Sequence, residues 1–201
     1  MVSKRLVVAS NNLYKIEEIR ELVSDLDLEI IGLGELGDFP EVVEDGETFH
    51  DNARKKAVEI ANHIGELVLA DDSGLEVDAL GGKPGVHSAR YAGEPCDDGR
   101  NNKRLLEELG QLEMEKRGAQ FRCVMALAIP NDEVKFSEGI CRGVIAYEPK
   151  GAQGFGYDPL FFVPEYNGTF AELTRETKNK ISHRFLAMQG MVKILKDLGL
   201  N

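Results

Sequence analysis

The sequence predicts an α/β fold built on a mixed β-sheet. Strand and helix patterns alternate in the first part of the chain, which favours strands joined by helices. Two long strand patterns then follow each other directly, as is typical of an antiparallel hairpin. The 201 residues contain no internal repeat, low-complexity tract or linker, so we expect residues 1–201 to form a single domain.

The N-terminal elements are defined by apolar periodicity and by caps. A strand over 4–10 leads after Asn12 into a helix, and a second strand is predicted over 28–33. The clearest helix spans 48–64, where Thr48 and Asp51 approximate a capping box and Gly65 ends the helix. A buried strand over 67–70 is expected to break at Ser73–Gly74.

The remaining elements are predicted in the same way. Residues 74–93 are rich in turn signals, and residues 97–109 have a helical pattern. Two strands are expected over 120–129 and 134–147, joined by a turn at 130–132. The last elements are a short strand over 159–163 and a final helix over 182–198.

Composition narrows the function classes. A net charge of −11 argues against an electrostatic nucleic-acid binder, although a few lysines can still make one cleft positive. No stretch approaches the roughly 20 apolar residues of a membrane span, and the N-terminal apolar run is predicted to be a strand rather than a signal peptide. Cys96, Cys123 and Cys141 form no CxxC motif, so we expect reduced, mostly buried thiols in a cytoplasmic protein.

The segment SNNLYK joins the first strand to the first helix. A helix N-terminus presents unpaired amides that favour phosphate, and this one lies beside Ser10, Asn11, Asn12 and Lys15. The helix dipole disfavours a lysine in the first turn, so Lys15 indicates a bound anion. The alternative is that Asn12 is an ordinary N-cap and that Lys15 is solvated.

The helix predicted over 48–64 carries two adjacent lysines. At about 100° per residue, Lys56 lies at the margin of the apolar stripe, whereas Lys55 points away from it. A lysine at a buried margin needs an anionic partner, so we assign Lys56 to a site and Lys55 to solvent. Glu44 precedes the helix and can face the same cleft, and Asn52 lies one turn before Lys56. A solvated Glu44 is the alternative.

Asp71 and Asp72 directly follow a buried strand. Because successive strand residues point to opposite faces, only one of them should enter the cleft with Glu44, while the other braces the turn. Periodicity does not choose between them, and both could simply end the strand. Carboxylates at a strand end, with a lysine nearby, suit a hard divalent cation and a polyphosphate.

The segment GAQGFGYDP indicates a base pocket rather than a phosphate cradle. Its glycines allow the backbone to approach a ligand closely, and Phe155 and Tyr157 offer flat apolar faces. Asp158 is held extended because Pro159 follows it, which gives its carboxylate a fixed direction.

The segment TKNKISHR is the last candidate. Lys178, His183 and Arg184 lie before or at the start of the final helix, with Ser182 as an N-cap. Cations in a first turn again oppose the helix dipole, which indicates an anionic or polar ligand. A solvated basic turn is the alternative.

Taken together, these segments resemble the inosine/xanthosine triphosphate pyrophosphatase family, whose members hydrolyse non-standard purine nucleoside triphosphates. The resemblance covers nearly the full length and rests on SNNLYK, EDGETFHDNARKKA, LADDSGLEVDALGGKPGVHSARYAG, GFGYDPLFF and ELTRETKNKISHR. It implies an α/β fold with a mixed, strongly twisted sheet in two lobes flanked by helices, a nucleotide cleft between the lobes, and a homodimer. Asn11 replaces a glycine that is usual in the first family motif, and we expect function to survive because Asn tolerates the left-handed conformation.

The resemblance also implies roles for individual residues. Glu44 and Asp72 would hold Mg²⁺, and Asp72 would orient or deprotonate the attacking water, which resolves the choice between the two aspartates. Lys15 and Lys56 would supply the main phosphate charges. The implied substrate contacts are Ser10, Asn11, Asn12 and Lys15 at the triphosphate, Ser73 at the nucleotide, Phe155, Gly156, Tyr157 and Asp158 at the base, and Lys178, His183 and Arg184 at the purine edge.

The expected activity is metal-assisted attack of water on the α-phosphorus of ITP, dITP or XTP, which releases the nucleoside monophosphate and pyrophosphate. The expected partner is a small-molecule purine nucleoside triphosphate, with no nucleic acid and no membrane. One alternative is a related pyrophosphatase that acts on modified pyrimidine or methylated nucleotides. A second alternative is a nucleotide-sensing module without turnover.

Overall fold

A computed structural model of the chain describes residues 4–37, 39, 42–130 and 132–200. The strands in these ranges are β1 Lys4–Val8, β2 Leu28–Gly32, β3 Val68–Val77, β4 Gly118–Ala128, β5 Lys135–Ile145, β6 Phe161–Val163 and β7 Gly168–Thr169. They form a seven-stranded sheet in the order β2-β1-β3-β4-β5-β6-β7. Strand β1 is parallel to β2 and β3, whereas β6 is antiparallel to β5 and β7, so the sheet is mixed as predicted.

The α-helices of the described residues are α1 Leu13–Leu22, α2 Phe49–Ile64, α3 Asp98–Leu109, α4 Arg175–Ile181 and α5 His183–Asp197. The predicted caps of α2 are confirmed, because the Asp51 N–H donates to Thr48 Oγ1 at 3.1 Å and Gly65 ends the helix with a φ of 71°. The final predicted helix is preceded by α4, which the sequence did not reveal. None of the described helices is both long and apolar enough to span a membrane.

Strand β3 corrects one prediction. It does not break at Ser73–Gly74 but continues to Val77. Leu75 and Val77 are fully buried on alternate positions, and the Leu75 N–H donates to Ser88 Oγ at 2.9 Å. Burial of these two apolar side chains outweighs the local turn preference of a Ser-Gly pair, since strand formation depends strongly on tertiary packing.

The described residues divide into two compact units. The first contains those up to Asp72, Cys123–Gly139 and those from Arg184 onward, and the second contains Ser73–Arg122 and Ile140–His183. Each unit has its own apolar core. The first core includes Leu6, Val8, Ile19, Leu69, Met125 and Met188, and the second includes Leu75, Leu105, Phe121, Phe161 and Phe170. A single domain over residues 1–201 stays a prediction.

Several polar and charged side chains are buried within the two units. In the first unit they include Asn52, Asp71, Asp72 and Arg184, and in the second they include Asn102, Asp158 and His183. Buried polar groups need partners, so their contacts indicate what each unit is built to hold. The cysteines are not among these groups: Cys123 and Cys141 are buried thiols and Cys96 is an exposed thiol.

Candidate active site

The first candidate cluster lies where α1 begins. Asn12 is the N-cap, and its Oδ1 accepts hydrogen bonds from two backbone N–H groups of the first turn at 3.0 and 3.3 Å. Its own N–H donates to Ser10 Oγ at 3.1 Å, and Asn11 beside it is exposed. The Lys15 ammonium meets Asp71 Oδ2 at 2.9 Å. Asp71 therefore gives Lys15 an anionic partner within the chain, and the bound anion beside Lys15 stays a prediction.

Arg184 belongs to the same cluster. Its guanidinium is 3% exposed and lies 2.5 Å from Glu18 Oε2 and 3.5 Å from Asp71 Oδ2. Burial alone would lower the pKa of Arg184, but the charges of Asp71 and Glu18 outweigh burial and raise it. Burial alone would likewise raise the pKa of Asp71, but the charges of Lys15 and Arg184 hold it well below its usual range. Asp71 is thus an ionised carboxylate held between two cations.

A second cluster in the first unit joins Glu44, Asn52, Lys56 and Asp72. The Lys56 ammonium contacts Glu44 Oε1 at 2.6 Å, so this lysine has the anionic partner that its position requires. Asn52 Nδ2 donates to Asp72 Oδ2 at 3.0 Å. The Oδ1 of Asn52 accepts a backbone N–H of the preceding loop at 2.7 Å, which fixes the side chain between that loop and Asp72.

Helix α2 separates its two lysines as predicted. Lys55 pairs with the exposed Asp45 at 2.7 Å and keeps 32% of its side chain exposed, whereas the Lys56 side chain is only 14% exposed. Burial alone would lower the pKa of Lys56, but the charges of Asp71 and Glu44 outweigh it and raise the pKa. Lys56 therefore stays charged in its buried position.

The adjacent aspartates have different partners, as the alternation of strand residues predicts. Asp71 contacts Lys15 and Arg184, whereas Asp72 contacts Asn52 and lies close enough to Glu44 for their charges to repel. Burial, and then the Glu44 charge, raises the pKa of Asp72 to about 6, against the opposing effect of the Asn52 hydrogen bond. Asp71 braces α1 through Lys15 rather than a turn, since β3 continues past it.

Glu44 and Asp72 form a donor set that fits a divalent cation. A cation beside them would relieve the repulsion that raises the pKa of Asp72. Among the described residues, no group of three or more His, Cys, Asp or Glu side chains is placed to hold a metal ion. Mg²⁺ is usually held by one or two carboxylates together with water and substrate phosphates, so a carboxylate pair suits it better than a closed cage would.

The loop over 151–158 in the second unit holds its two aromatic residues differently. Tyr157 is 4% exposed, and its hydroxyl donates to the Ser88 carbonyl at 2.8 Å. Burial raises the pKa of Tyr157 above its usual value. Phe155 is half-buried, and its N–H donates to Asp158 Oδ2 at 3.0 Å. Phe155 is therefore only partly exposed, whereas Tyr157 is buried and is anchored to Ser88.

Asp158 also forms a buried ion pair with Lys178. The ammonium lies 2.6 Å from Asp158 Oδ2, and the two side chains are 5% and 11% exposed. The Lys178 Nζ is also 5.4 Å from the centroid of the Phe155 ring and 5.5 Å from that of Phe170, within the range of a cation–π contact. Three residues expected at a base, Phe155, Asp158 and Lys178, are therefore in mutual contact.

The other candidates of the second unit are more dispersed. His183 is 6% exposed, and its ring stacks on Phe121 with centroids 4.8 Å apart and planes 15° apart. Ser182 is the C-cap of α4 and donates its N–H to the Lys178 carbonyl at 2.9 Å, so it ends one helix directly before α5 begins. Ser73 is half-buried within β3.

The match to a known family covers all of these residues. Residues 6–194 fit the model of the Ham1 family, a range that contains every candidate from Ser10 to Arg184. The chain belongs to the Ham1 family.

Its Ham1 relatives match it along almost the whole length. The chain is 55% identical to a protein of Desulforamulus reducens named dITP/XTP pyrophosphatase. The match extends over 194 residues, which is 96% of this chain and 96% of that protein. The structure of the Ham1 protein of Staphylococcus aureus matches with a TM-score of 0.88 and 43% identity, over 96% of this chain and 99% of that one. A HAM1 protein from Coxiella burnetii matches with a TM-score of 0.90 and 40% identity over the same shares. The Ham1 fold is therefore the fold of this chain.

Three side chains in or beside these clusters were not apparent from the sequence. Glu18 contacts Arg184, and its position three residues after Lys15 on one face of α1 is a signal that could have found it. Asp98 and Asn102 both contact the backbone of Gly156. Nothing in their local pattern connects them with that glycine.

Proposed function

We propose that this protein hydrolyses the non-standard purine nucleoside triphosphates ITP, dITP and XTP to the nucleoside monophosphate and pyrophosphate. The observation that carries the proposal is the partly buried cluster in which Glu44 and Asp72 lie beside Lys56. Its support is the 55% identity to a relative named dITP/XTP pyrophosphatase. Acidic and basic groups of this kind suit the binding of a polyphosphate and a divalent cation.

Lys15 and Lys56 are proposed to bind the triphosphate. Both ammonium groups are held by carboxylates, Lys15 by Asp71 at 2.9 Å and Lys56 by Glu44 at 2.6 Å, so each is fixed in place. Fixed positive charge stabilises the negative charge that develops on phosphate oxygens during the reaction. Ser10, Asn11 and Asn12 are proposed to contribute polar contacts at the same helix start. Arg184 contacts Asp71 and is proposed to keep it, and with it Lys15, in position, while its contact with the purine edge stays a prediction.

Glu44 and Asp72 are proposed to hold the divalent cation, with Mg²⁺ as its identity. When bound, such an ion polarises phosphate oxygens and lowers the pKa of water. Asp72 orients the attacking water and accepts its proton as the oxygen–phosphorus bond forms and pyrophosphate leaves. Because a bound cation would lower the pKa of Asp72 towards the ~4 of an ordinary aspartate, its main role is to position the water, and partial transfer of the proton to its carboxylate assists the attack. Asn52 fixes the direction of that carboxylate.

The base is proposed to stack on Phe155, with Gly156, Tyr157 and Asp158 shaping the loop beneath it. Lys178 is the proposed donor to the O6 atom of inosine or xanthosine, and His183 and Ser73 are proposed as further nucleotide contacts. Adenine carries an N6 amino group instead, which leaves the donor unpaired. In a site built for hydrogen bonds, such a mismatch can cost about 10⁴-fold in kcat/KM.

The same proposal includes a homodimer, which the family resemblance implies. It also includes a cytoplasmic location, for which the three cysteine thiols are the support. The partner is a small-molecule nucleotide, and neither a nucleic acid nor a membrane is part of the proposal.

The decisive experiment measures pyrophosphate release from ITP, XTP, dITP, GTP and ATP, with Mg²⁺ and with EDTA. We expect metal-dependent turnover that favours the first three nucleotides. Equal turnover of all five would contradict the assignment of the base residues. Binding of ITP without release of pyrophosphate would instead favour a nucleotide sensor, and preference for modified pyrimidine or methylated nucleotides would favour the related pyrophosphatases.

The role of Asp72 has its own test. Asp72→Asn is expected to lower kcat by about 10²-fold or more, because the amide does not accept a proton from water. Asp45→Asn is the matched control, since Asp45 is an exposed carboxylate that pairs with Lys55, and it should retain nearly full turnover. Nearly full turnover in Asp72→Asn would remove Asp72 from the mechanism.

A further inference from the structure

Both the backbone N–H and the backbone carbonyl of Gly156 form hydrogen bonds with side chains of α3. Its N–H donates to Asp98 Oδ2 at 2.7 Å, and its carbonyl accepts from Asn102 Nδ2 at 2.9 Å. Asp98 and Asn102 are four residues apart on α3, so they lie on the same face of that helix. The two side chains therefore hold a single residue of the 151–158 loop from both of its hydrogen-bonding groups.

This attachment controls a conformation that is otherwise costly to hold. Gly156 has a φ of 61°, in the left-handed region, and it lies between Phe155 and Tyr157. Glycine loses more conformational freedom on ordering than other residues do, so a glycine in a loop adopts one geometry only when contacts impose it. The hydrogen bonds from α3 supply those contacts. The N–H that Asp98 accepts belongs to the peptide bond between Phe155 and Gly156, so this bond also sets the orientation of the backbone next to the Phe155 ring.

Asn102 differs from its neighbour Asn101 in one informative way. Asn101 is satisfied at both ends, because its Oδ1 accepts the Ala92 N–H at 2.7 Å and its Nδ2 donates to the Ala89 carbonyl at 2.8 Å. The buried Oδ1 of Asn102 has no hydrogen-bond partner in the part of the chain that the structure describes. A buried unpaired acceptor costs roughly 1–3 kcal/mol. An asparagine at this position is therefore poorly explained by stability, and its bond to Gly156 is what it contributes.

We propose that Asp98 and Asn102 are positioning residues that set base selectivity by fixing Gly156. This inference rests on the proposed function, in which the base stacks on Phe155 and pairs with Lys178. The Lys178 ammonium lies 5.4 Å from the Phe155 ring centroid, so a shift of the loop changes both the stacking surface and its distance from the donor. Displacements of about 1 Å in such a site can change rates by as much as 10²-fold.

The test compares four variants by the ratio of kcat/KM for ITP to that for ATP. Asn102→Ala and Asp98→Ala each remove one bond to Gly156, and each is expected to lower the ratio about fivefold to tenfold, the size of one lost hydrogen bond. The change should come from a higher KM for ITP, with kcat within about twofold of wild type. Asp98→Asn retains an oxygen that accepts the Gly156 N–H, so it should restore the ratio. Asp98 is exposed, so its variants test the proposal even if Asn102→Ala fails to fold.

Asn101→Ala is the matched control, because it removes a buried asparagine of the same helix that holds a different loop. It should lower the urea midpoint of unfolding at least as much as Asn102→Ala does, while the selectivity ratio stays within about twofold of wild type. Equal loss of selectivity in the Asn101 and Asn102 variants would overturn the proposal, since general loosening of α3 would then explain both. An unchanged ratio in Asp98→Ala would also overturn it.

Amide hydrogen exchange separates this proposal from the proposed function. If the bonds from α3 hold the loop, exchange over residues 154–158 should accelerate in Asn102→Ala and Asp98→Ala more than in Asn101→Ala. Unchanged exchange in both variants would overturn the positioning role even in an active enzyme. Wild-type protein that turns over none of the nucleotides would overturn the proposed function and the selectivity role together, whereas accelerated exchange would still support the contact of α3 with Gly156.

Discussion

The ion pair between Asp158 and Lys178 can be tested against a matched pair on the same helix. Lys178 and Lys180 both belong to α4, and each ammonium lies 2.6 Å from a carboxylate oxygen, of Asp158 and Glu176 respectively. The two pairs differ in burial. The Lys178 and Asp158 side chains are 11% and 5% exposed, whereas those of Lys180 and Glu176 are 65% and 81% exposed.

This difference sets the expected magnitudes. Lys178→Met leaves the buried Asp158 carboxylate without the Lys178 charge, and loss of one partner from a buried pair costs about 3–5 kcal/mol of unfolding free energy. In a chain of this size such a loss lowers Tm by roughly 10 °C. Lys180→Met removes a pair that water screens, so we expect no measurable change in the free energy of unfolding.

Urea unfolding followed by circular dichroism measures both variants. Combining Lys178→Met with Asp158→Asn should recover at least half of the loss, because both charges are then gone and the amide oxygen can still accept the Phe155 N–H. Equal costs for Lys178→Met and Lys180→Met would refute the reasoning. So would a double variant as unstable as the sum of its single variants, since the pair would then have no coupling.

Three further predictions concern other parts of the fold. In urea unfolding, Gly151→Ala should lower the free energy of unfolding by at least about 3 kcal/mol, because its Cβ would lie 2.3 Å from the Ala171 backbone at a φ of 81°. Gly81→Ala is the control, since Gly81 has a φ of 63° and open space around its Cβ, and it should cost only about 1 kcal/mol. Because Cys96 is exposed and the other two cysteines are buried, a thiol reagent should label one cysteine of the native protein, and labelling of three would contradict this. Burial, and then the hydrogen bond to Glu94, raises the pKa of Cys96, so labelling should become faster as the pH rises and should accelerate in Glu94→Gln at pH ~8. The fully buried Arg117 donates to three backbone carbonyls at 2.7, 3.2 and 3.1 Å, so Arg117→Lys should lower the free energy of unfolding by about 3 kcal/mol or more. A loss below about 1 kcal/mol would show that one ammonium can replace the guanidinium.

Local patterns predicted those features that depend on neighbouring residues. The cap at Thr48, the end at Gly65 and the different directions of Lys55 and Lys56 all follow from the geometry of one helix. The alternation of strand residues likewise predicted that Asp71 and Asp72 have different partners. The ranking of Asp72 as the catalytic residue came from the family resemblance, because periodicity treats the two aspartates alike.

Features that depend on distant residues were not predictable in this way. Strand β3 extends past Ser73 because Leu75 and Val77 are buried in a core whose other members come from elsewhere in the chain. Glu18 and Arg184 are 166 residues apart, and Asp98 is 58 residues from Gly156. Pairings across such separations are set by the fold as a whole, so helical spacing can place Glu18 on the same face as Lys15 but does not identify Arg184 as its partner.

The ion pairs of Lys15 and Lys56 have a consequence for what the site retains. Because Asp71 and Glu44 already occupy these lysines, an incoming phosphate competes with them, and each new contact gains only the difference between two ion pairs. A single phosphate group gains little from such an exchange. A chain of three phosphates that reaches both lysines gains binding free energy at each of them but loses its translational freedom only once. If Lys15 and Lys56 bind phosphate as proposed, we expect the protein to discriminate by the length of the phosphate chain and to release a nucleoside monophosphate readily.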